Sequence, residues 1–191
     1  MKLVFVHVDE GSEQEVIEKL TSARRQGNLV YAVSGRPRSY MHGKFHRWYN
    51  GSVAFGGRMA NTCCEKILDI PLNEEQLAVI EQLRHLEGVG VCIYDVKGGF
   101  YDGPEEGWQA FLQTWDKDHM FRSRKPAGKY LYGCDLWLRD SAAGQAVSSL
   151  CQTREIGSHL VRVLFAGVSE EETLQRTAEY LKMNSDKVVI I

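Results

Sequence analysis

Residues 1–11 read Met1-Lys2-Leu3-Val4-Phe5-Val6-His7-Val8-Asp9-Glu10-Gly11, and this stretch decides the fold. Four apolar residues, Leu3, Val4, Phe5 and Val6, run straight into His7, Val8 and Asp9, with a glycine soon after. An uninterrupted apolar run of this kind predicts a strand buried on both faces, as in a parallel sheet. Its polar residues then stand at the carboxyl end, the edge where open α/β sheets bind ligands. His7 and Asp9 are therefore candidate site residues.

Outward from the strand, Ser12 and Glu15 have the spacing of a capping box. Val16, Ile17, Leu20 and Ala23 keep one helical face apolar, and Gly27 suits a left-handed helix end. Residues 28–33, Asn-Leu-Val-Tyr-Ala-Val, predict a second strand. Strand, helix and strand together make a βαβ unit, which crosses over right-handed and pairs its strands in parallel. The second strand ends in Ser34-Gly35-Arg36-Pro37. A hydroxyl, a flexible backbone and a fork-shaped cation suit a phosphate group. Taken alone, the same four residues describe a turn.

These motifs, in this order, resemble those of the Cof-type phosphatases of the haloacid-dehalogenase-like (HAD) superfamily. Residues 4–11 lie over the family's Asp-x-Asp-Gly-Thr, and residues 31–37 over a strand ending in Thr or Ser and then Gly-Arg-Pro. Tyr49-Asn50-Gly51-Ser52-Val53-Ala54-Phe55-Gly56-Gly57 lies over aromatic-Asp-Gly-x-x-x-x-Asn-Gly, with Asn50 for the aspartate and Gly56 for the asparagine. Lys66-Ile67-Leu68-Asp69-Ile70-Pro71 and a helix from Asn73 resemble the approach to the family's cap. The resemblance covers residues 1–95. It implies an α/β protein with a HAD-like Rossmannoid parallel-sheet core and an inserted α/β cap. The expected boundaries are core at 1–72, cap at 73–158, and at 159–191 either the return to the core or the last βαβ of the cap.

The tail carries those two registers. Residues 159–166 predict a strand, Ser169 with Glu172 a capping box, Leu174, Ala178 and Leu181 an inward helical face, and residues 187–191 a final strand. In one register Gly167-Val168-Ser169-Glu170 lies over the family's Gly-Val-Ser-Lys, so Glu170 replaces the lysine and residues 188–191 form a core strand. In the other, residues 163–191 stay in the cap. Under either, the acidic loop that would complete the family's metal site is not expected within this sequence.

The family's reaction passes through an aspartyl phosphate. It requires a carboxylate nucleophile, a second carboxylate as acid and base, a hydroxyl on the phosphoryl oxygens, and a lysine and Mg²⁺ against charge repulsion. Here His7 stands at the nucleophile position, Asp9 keeps the acid/base position, Ser34, Gly35 and Arg36 stand at the phosphate position, and Glu170 at the lysine position. The resemblance therefore implies a catalytically impaired pseudoenzyme that binds a small phosphorylated metabolite or a protein partner. Its alternative is an active phosphatase of small phosphorylated metabolites such as sugar phosphates. No metal or cofactor is expected, except Mg²⁺ if the family chemistry survives. The plain structural reading is His7 hydrogen-bonded at a strand end and Asp9 capping the following turn.

Composition narrows the classes. The 191 residues are 43% hydrophobic and 25% charged with a net charge of -2, which leaves no global attraction to nucleic acid or anionic lipid. No apolar run reaches the roughly 20 residues that span a bilayer, and no signal peptide is read. Five cysteines, two of them adjacent and none in C-x-x-C, argue against a disulfide framework or zinc site and for a reduced cytoplasmic setting. Arg36, Arg38, His42, Lys44, His46 and Arg47 interleave with Tyr40, Phe45, Trp48 and Tyr49, a pattern that can clamp nucleic acid. Without a basic surface to extend the track, it reads instead as a helix and loop over the substrate mouth.

Further on, Asn73 and Gln76 cap a helix with Leu77, Ile80 and Leu83 inward, residues 89–96 predict a strand, and Lys97-Gly98-Gly99 a hairpin turn. Trp108, Phe111, Leu112 and Trp115 follow at i, i+3, i+4 and i+7, an aromatic stripe read as core. Residues 121–129 form a basic loop, a connector or an arm toward an anionic substrate. A strand at 130–138 and a helix capped by Asp140 complete the cap. An edge strand left by an incomplete core would invite pairing with a second copy.

Overall fold

The computed structural model describes residues 1–115, 120–122 and 130–191. The chain begins with β1 (Leu3–His7), α1 (Glu13–Arg25), β2 (Leu29–Val33), α2 (Arg38–Phe45) and β3 (Gly51–Ala54). A 3-10 turn at Phe55–Gly57 leads into β4 (Met59–Thr62) and β5 (Lys66–Asp69). Next come α3 (Glu74–Arg84), β6 (Val89–Asp95), β7 (Gly98–Asp102), α4 (Glu105–Thr114), β8 (Met120–Phe121), β9 (Gly133–Leu138), α5 (Ser141–Ser148), β10 (Gln152–Gly157) and β11 (Leu160–Leu164). The chain closes with α6 (Glu170–Tyr180) and β12 (Val188–Ile190). These elements form two compact units: Met1–Ile70 with Val168–Ile191, and Pro71–Gly167.

The first unit is built on a six-stranded sheet in the order β12-β1-β2-β3-β4-β5. Its first four strands are parallel, with Leu3 beside Leu29 and Val188, and β4 and β5 extend it antiparallel. The apolar run of β1 exists because both faces are covered. Leu3 and Phe5 join Tyr31, Val33 and Val53 in a core closed by Leu174 and Ala178 of α6. Val4 and Val6 are buried with Val30 and Ala32, and α1, which packs on β1 and β2, buries Val16, Leu20 and Ala23. Each fully buried Leu, Val or Phe is worth about 1.5–3 kcal/mol. The Ser12 capping box is formed, with Ser12 N donating to Glu15 Oε2 at 2.7 Å.

Burial of Tyr31 and Tyr49 pushes each phenol up to about 12. The unfolded chain's tyrosines ionise near pH 10, so the folded state binds more protons between about pH 10 and 12. Their contribution to stability is whole below about pH 10 and is lost as pH rises toward 12. In an absorbance titration, part of the tyrosinate signal of the eight tyrosines is expected to lag that of the chain in denaturant. Complete ionisation near pH 10 with the fold intact would contradict this burial.

The second unit carries a six-stranded sheet, β10-β11-β9-β6-β7-β8, antiparallel except for the β7–β8 pair. One face buries Val91, Ile93, Cys134, Leu136, Val161 and Val163 against Ile80 and Leu83 of α3 and Ala143 and Val147 of α5. The alternate residues Tyr94, Asp135 and Arg162 interact with one another away from that cluster. Tyr94 donates to Asp135 Oδ2 at 2.7 Å, and Arg162 reaches Oδ1 at 2.8 Å and Oδ2 at 2.9 Å. The aromatic stripe of α4 is core, as its spacing predicts: Phe111 is buried and Trp115 stacks on Tyr94 at 4.9 Å.

Three features differ from the sequence reading. β4 and β5 lie within the expected core at 1–72, but the sequence reading did not name them as antiparallel strands of its sheet. β10 has charged residues and exposed edge positions, so it lacks the apolar alternation that marks a strand. β11 pairs with β9 and β10, so the chain re-enters the first unit at Val168 and not at residue 159. Of the basic loop at 121–129, residues 123–129 lie outside the described residues, while Arg122 pairs with Glu105. All five cysteines are free, and no described helix is long and apolar enough to cross a membrane.

Candidate functional site

The candidate residues gather at the carboxyl ends of β1 and β2 in the first unit. His7 ends β1 between two parallel neighbours, and its N–H donates to the Ile191 carbonyl at 2.9 Å. Its Nε2 lies 3.7 Å from Glu170 Oε1, both side chains being about one-third exposed. Glu170 opens α6, where an acidic first turn suits the positive end of the helix dipole and Ser169 Oγ accepts from the Glu172 N–H. At this exposure the pair is worth about 1 kcal/mol or less. The nucleophile and lysine positions of the sequence reading thus meet, but as imidazole and carboxylate.

Asp9 does not cap the turn that follows it; Ser12 caps α1. The Asp9 carboxylate instead crosses to the turn after β2. Oδ1 accepts from Ser34 Oγ at 2.6 Å and lies 3.6 Å from Arg36 Nε, and Oδ2 accepts from the Gly35 N–H at 2.8 Å. Both oxygens are therefore committed to donors. Ser34 is 1% exposed and is held from behind: its N–H donates to Val53 O, and its carbonyl accepts from Gly56 N. Ser34 Oγ also accepts from Arg36 N at 2.9 Å, so its single proton goes to Asp9. The Arg36 guanidinium carbon lies 4.5 Å above the Tyr40 ring.

Asn50, at the aspartate position of the third motif, is a structural bracket. Its N–H donates to Val30 O at 2.7 Å and its Oδ1 accepts from Val30 N at 2.9 Å. Gly57 matters more than its motif suggests. At φ +98 a Cβ would lie 2.8 Å from Glu170 Cα, and the Gly57 carbonyl accepts from Thr173 Oγ1 at 2.8 Å. Thr173 and Thr177, both buried, were invisible to an apolar count of α6; their i, i+4 spacing was the available signal. The basic and aromatic residues at 36–49 are parted: Tyr40 and Phe45 are buried, and Arg36 and Lys44 pair with Asp9 and Glu13.

These residues do not fit Mg²⁺. The Asp9 oxygens face a hydroxyl proton, an amide proton and a guanidinium, and His7 faces Glu170. Among the described residues, no group of three or more His, Cys, Asp or Glu side chains is placed to hold a metal ion.

No protein-family model matches the chain, and no curated protein matches it. Solved structures do. A haloacid dehalogenase-like hydrolase from Bacteroides thetaiotaomicron is 14% identical, with 99% of this chain and 80% of that one covered and a TM-score of 0.79. A HAD subclass IIB sugar phosphatase is 13% identical over 100% of this chain and 80% of its own, with a TM-score of 0.75. A haloacid dehalogenase-like hydrolase from B. subtilis is 11% identical over 100% of this chain and 82% of its own, with a TM-score of 0.74. The chain has the α/β fold of the HAD phosphatases, a Rossmannoid core with an inserted cap.

Proposed function

We propose that this chain is a HAD-like pseudoenzyme that binds a small phosphorylated metabolite or a protein partner without turning the phosphate over. The observation that carries the reading is the His7–Glu170 contact. Aspartyl-phosphate chemistry needs an attacking carboxylate with a cation beside it. Here an imidazole holds the first position and a carboxylate the second, 3.7 Å apart. Two like charges about 4 Å apart repel by ~1 kcal/mol in water and ~4 kcal/mol at an effective dielectric of about 20, so a carboxylate at this position opposes phosphoryl transfer to His7 while leaving the Ser34–Arg36 turn as the phosphate-facing side.

The second reading, an active phosphatase of small phosphorylated metabolites, draws on Asp9 and Ser34, which stand together at 2.6 Å. The test is hydrolysis of a generic aryl phosphate with and without Mg²⁺. No turnover above that of buffer is expected. Metal-dependent hydrolysis that disappears in Asp9→Asn would establish the second reading instead.

A further inference from the structure

We infer that Ser34, Gly35 and Arg36 form an oxyanion seat that the chain fills with its own Asp9 carboxylate, so that inorganic phosphate or a phosphomonoester binds only in exchange with it. The inference rests on reading these three residues as phosphate ligands and is independent of whether any turnover survives.

The contacts of Asp9 are those of a bound anion. One hydroxyl, one backbone amide and one guanidinium converge on its two oxygens at 2.6, 2.8 and 3.6 Å. Such charge-assisted donors suit a phosphate oxygen as well as a carboxylate oxygen. The seat is also rigid without Asp9. Ser34 N–H is fixed on Val53 O, Gly56 N on Ser34 O, Phe55 N on Arg36 O, and Arg36 N on Ser34 Oγ. None of these bonds uses the carboxylate, so the Ser34 hydroxyl and the Gly35 amide keep their positions when it leaves.

Asp9 itself is removable. It lies beyond the end of β1, and its side chain is 28% exposed beside Ser34 at 1%. Swinging out returns the carboxylate to water and leaves the Ser34 hydroxyl and the Gly35 amide to an incoming anion, beside the charge of Arg36. The competition is unequal, because Asp9 is tethered. A ligand on a short tether acts at an effective concentration of about millimolar or more, which a free anion must exceed. Asp9 is thus a built-in competitor at the site, and its retention at the acid/base position does not by itself indicate acid/base chemistry.

The test is titration of inorganic phosphate into the wild-type chain and into Asp9→Ala, followed by isothermal calorimetry and by the melting temperature. Asp9→Ala is expected to bind phosphate at least ~10-fold more tightly than wild type, and to gain melting temperature with added phosphate. Adding Ser34→Ala abolishes the gain. Asp9→Asn keeps the volume and removes the charge, so it shifts affinity in the same direction should the alanine variant fold poorly. Equal binding by wild type and both Asp9 variants, no binding by any of them, or a gain that survives Ser34→Ala would each overturn the inference. Turnover of an aryl phosphate would instead sink the pseudoenzyme reading and leave this comparison standing.

Discussion

Replacing Arg162 with methionine lowers the stability of the second unit by about 3–5 kcal/mol, because it strands a buried carboxylate. Asp135 is fully buried, and its oxygens are shared between Arg162 Nε, Arg162 Nη2 and the Tyr94 hydroxyl. Removing the cation removes two charge-assisted bonds and keeps the desolvated charge. The triple variant Arg162→Met, Asp135→Leu, Tyr94→Phe is expected to recover part of the loss, since it removes the buried carboxylate together with the guanidinium and the hydroxyl that donate to it. Urea unfolding followed by tryptophan fluorescence reads both, as Trp115 stacks on Tyr94. An Arg162→Met variant within about 1 kcal/mol of wild type would mean that Asp135 is not desolvated as described.

Gly57→Ala acts on the first unit through two additive faults. The φ of +98 strains any L side chain, and the new Cβ meets the α6 backbone at Glu170 at 2.8 Å. Backbone strain and overpacking each cost about 1–3 kcal/mol, so a loss of about 2–6 kcal/mol is expected by urea denaturation. The displaced helix start also carries Glu170 away from His7. A variant as stable as wild type would show that α6 does not rest on this turn.

The reach of the sequence follows from how local each signal is. β1, α1 and β2 were legible because a two-sided burial leaves a continuous apolar run and a capping box spans only four residues. The α4 stripe was legible for the same reason: its period is the helix's own. β10 was not, since an exposed edge strand needs no apolar alternation. The Asp9 clamp joins residues 25 positions apart, and no local pattern distinguishes a carboxylate waiting for a substrate from one already seated on Ser34, Gly35 and Arg36. The motif order named His7 and Glu170 only as separate positions, Glu170 in one of two registers, and did not foretell their meeting. The structure added the distance between them.

The most direct measurement is trapping of a covalent phosphoenzyme: intact-mass spectrometry of the chain after incubation with acetyl phosphate and Mg²⁺. The expected result is an unmodified mass, because no carboxylate stands at the end of β1 to be phosphorylated. A single phosphoryl adduct that maps to His7 and disappears in His7→Ala would contradict the proposed reading, since the imidazole would then itself accept the phosphoryl group.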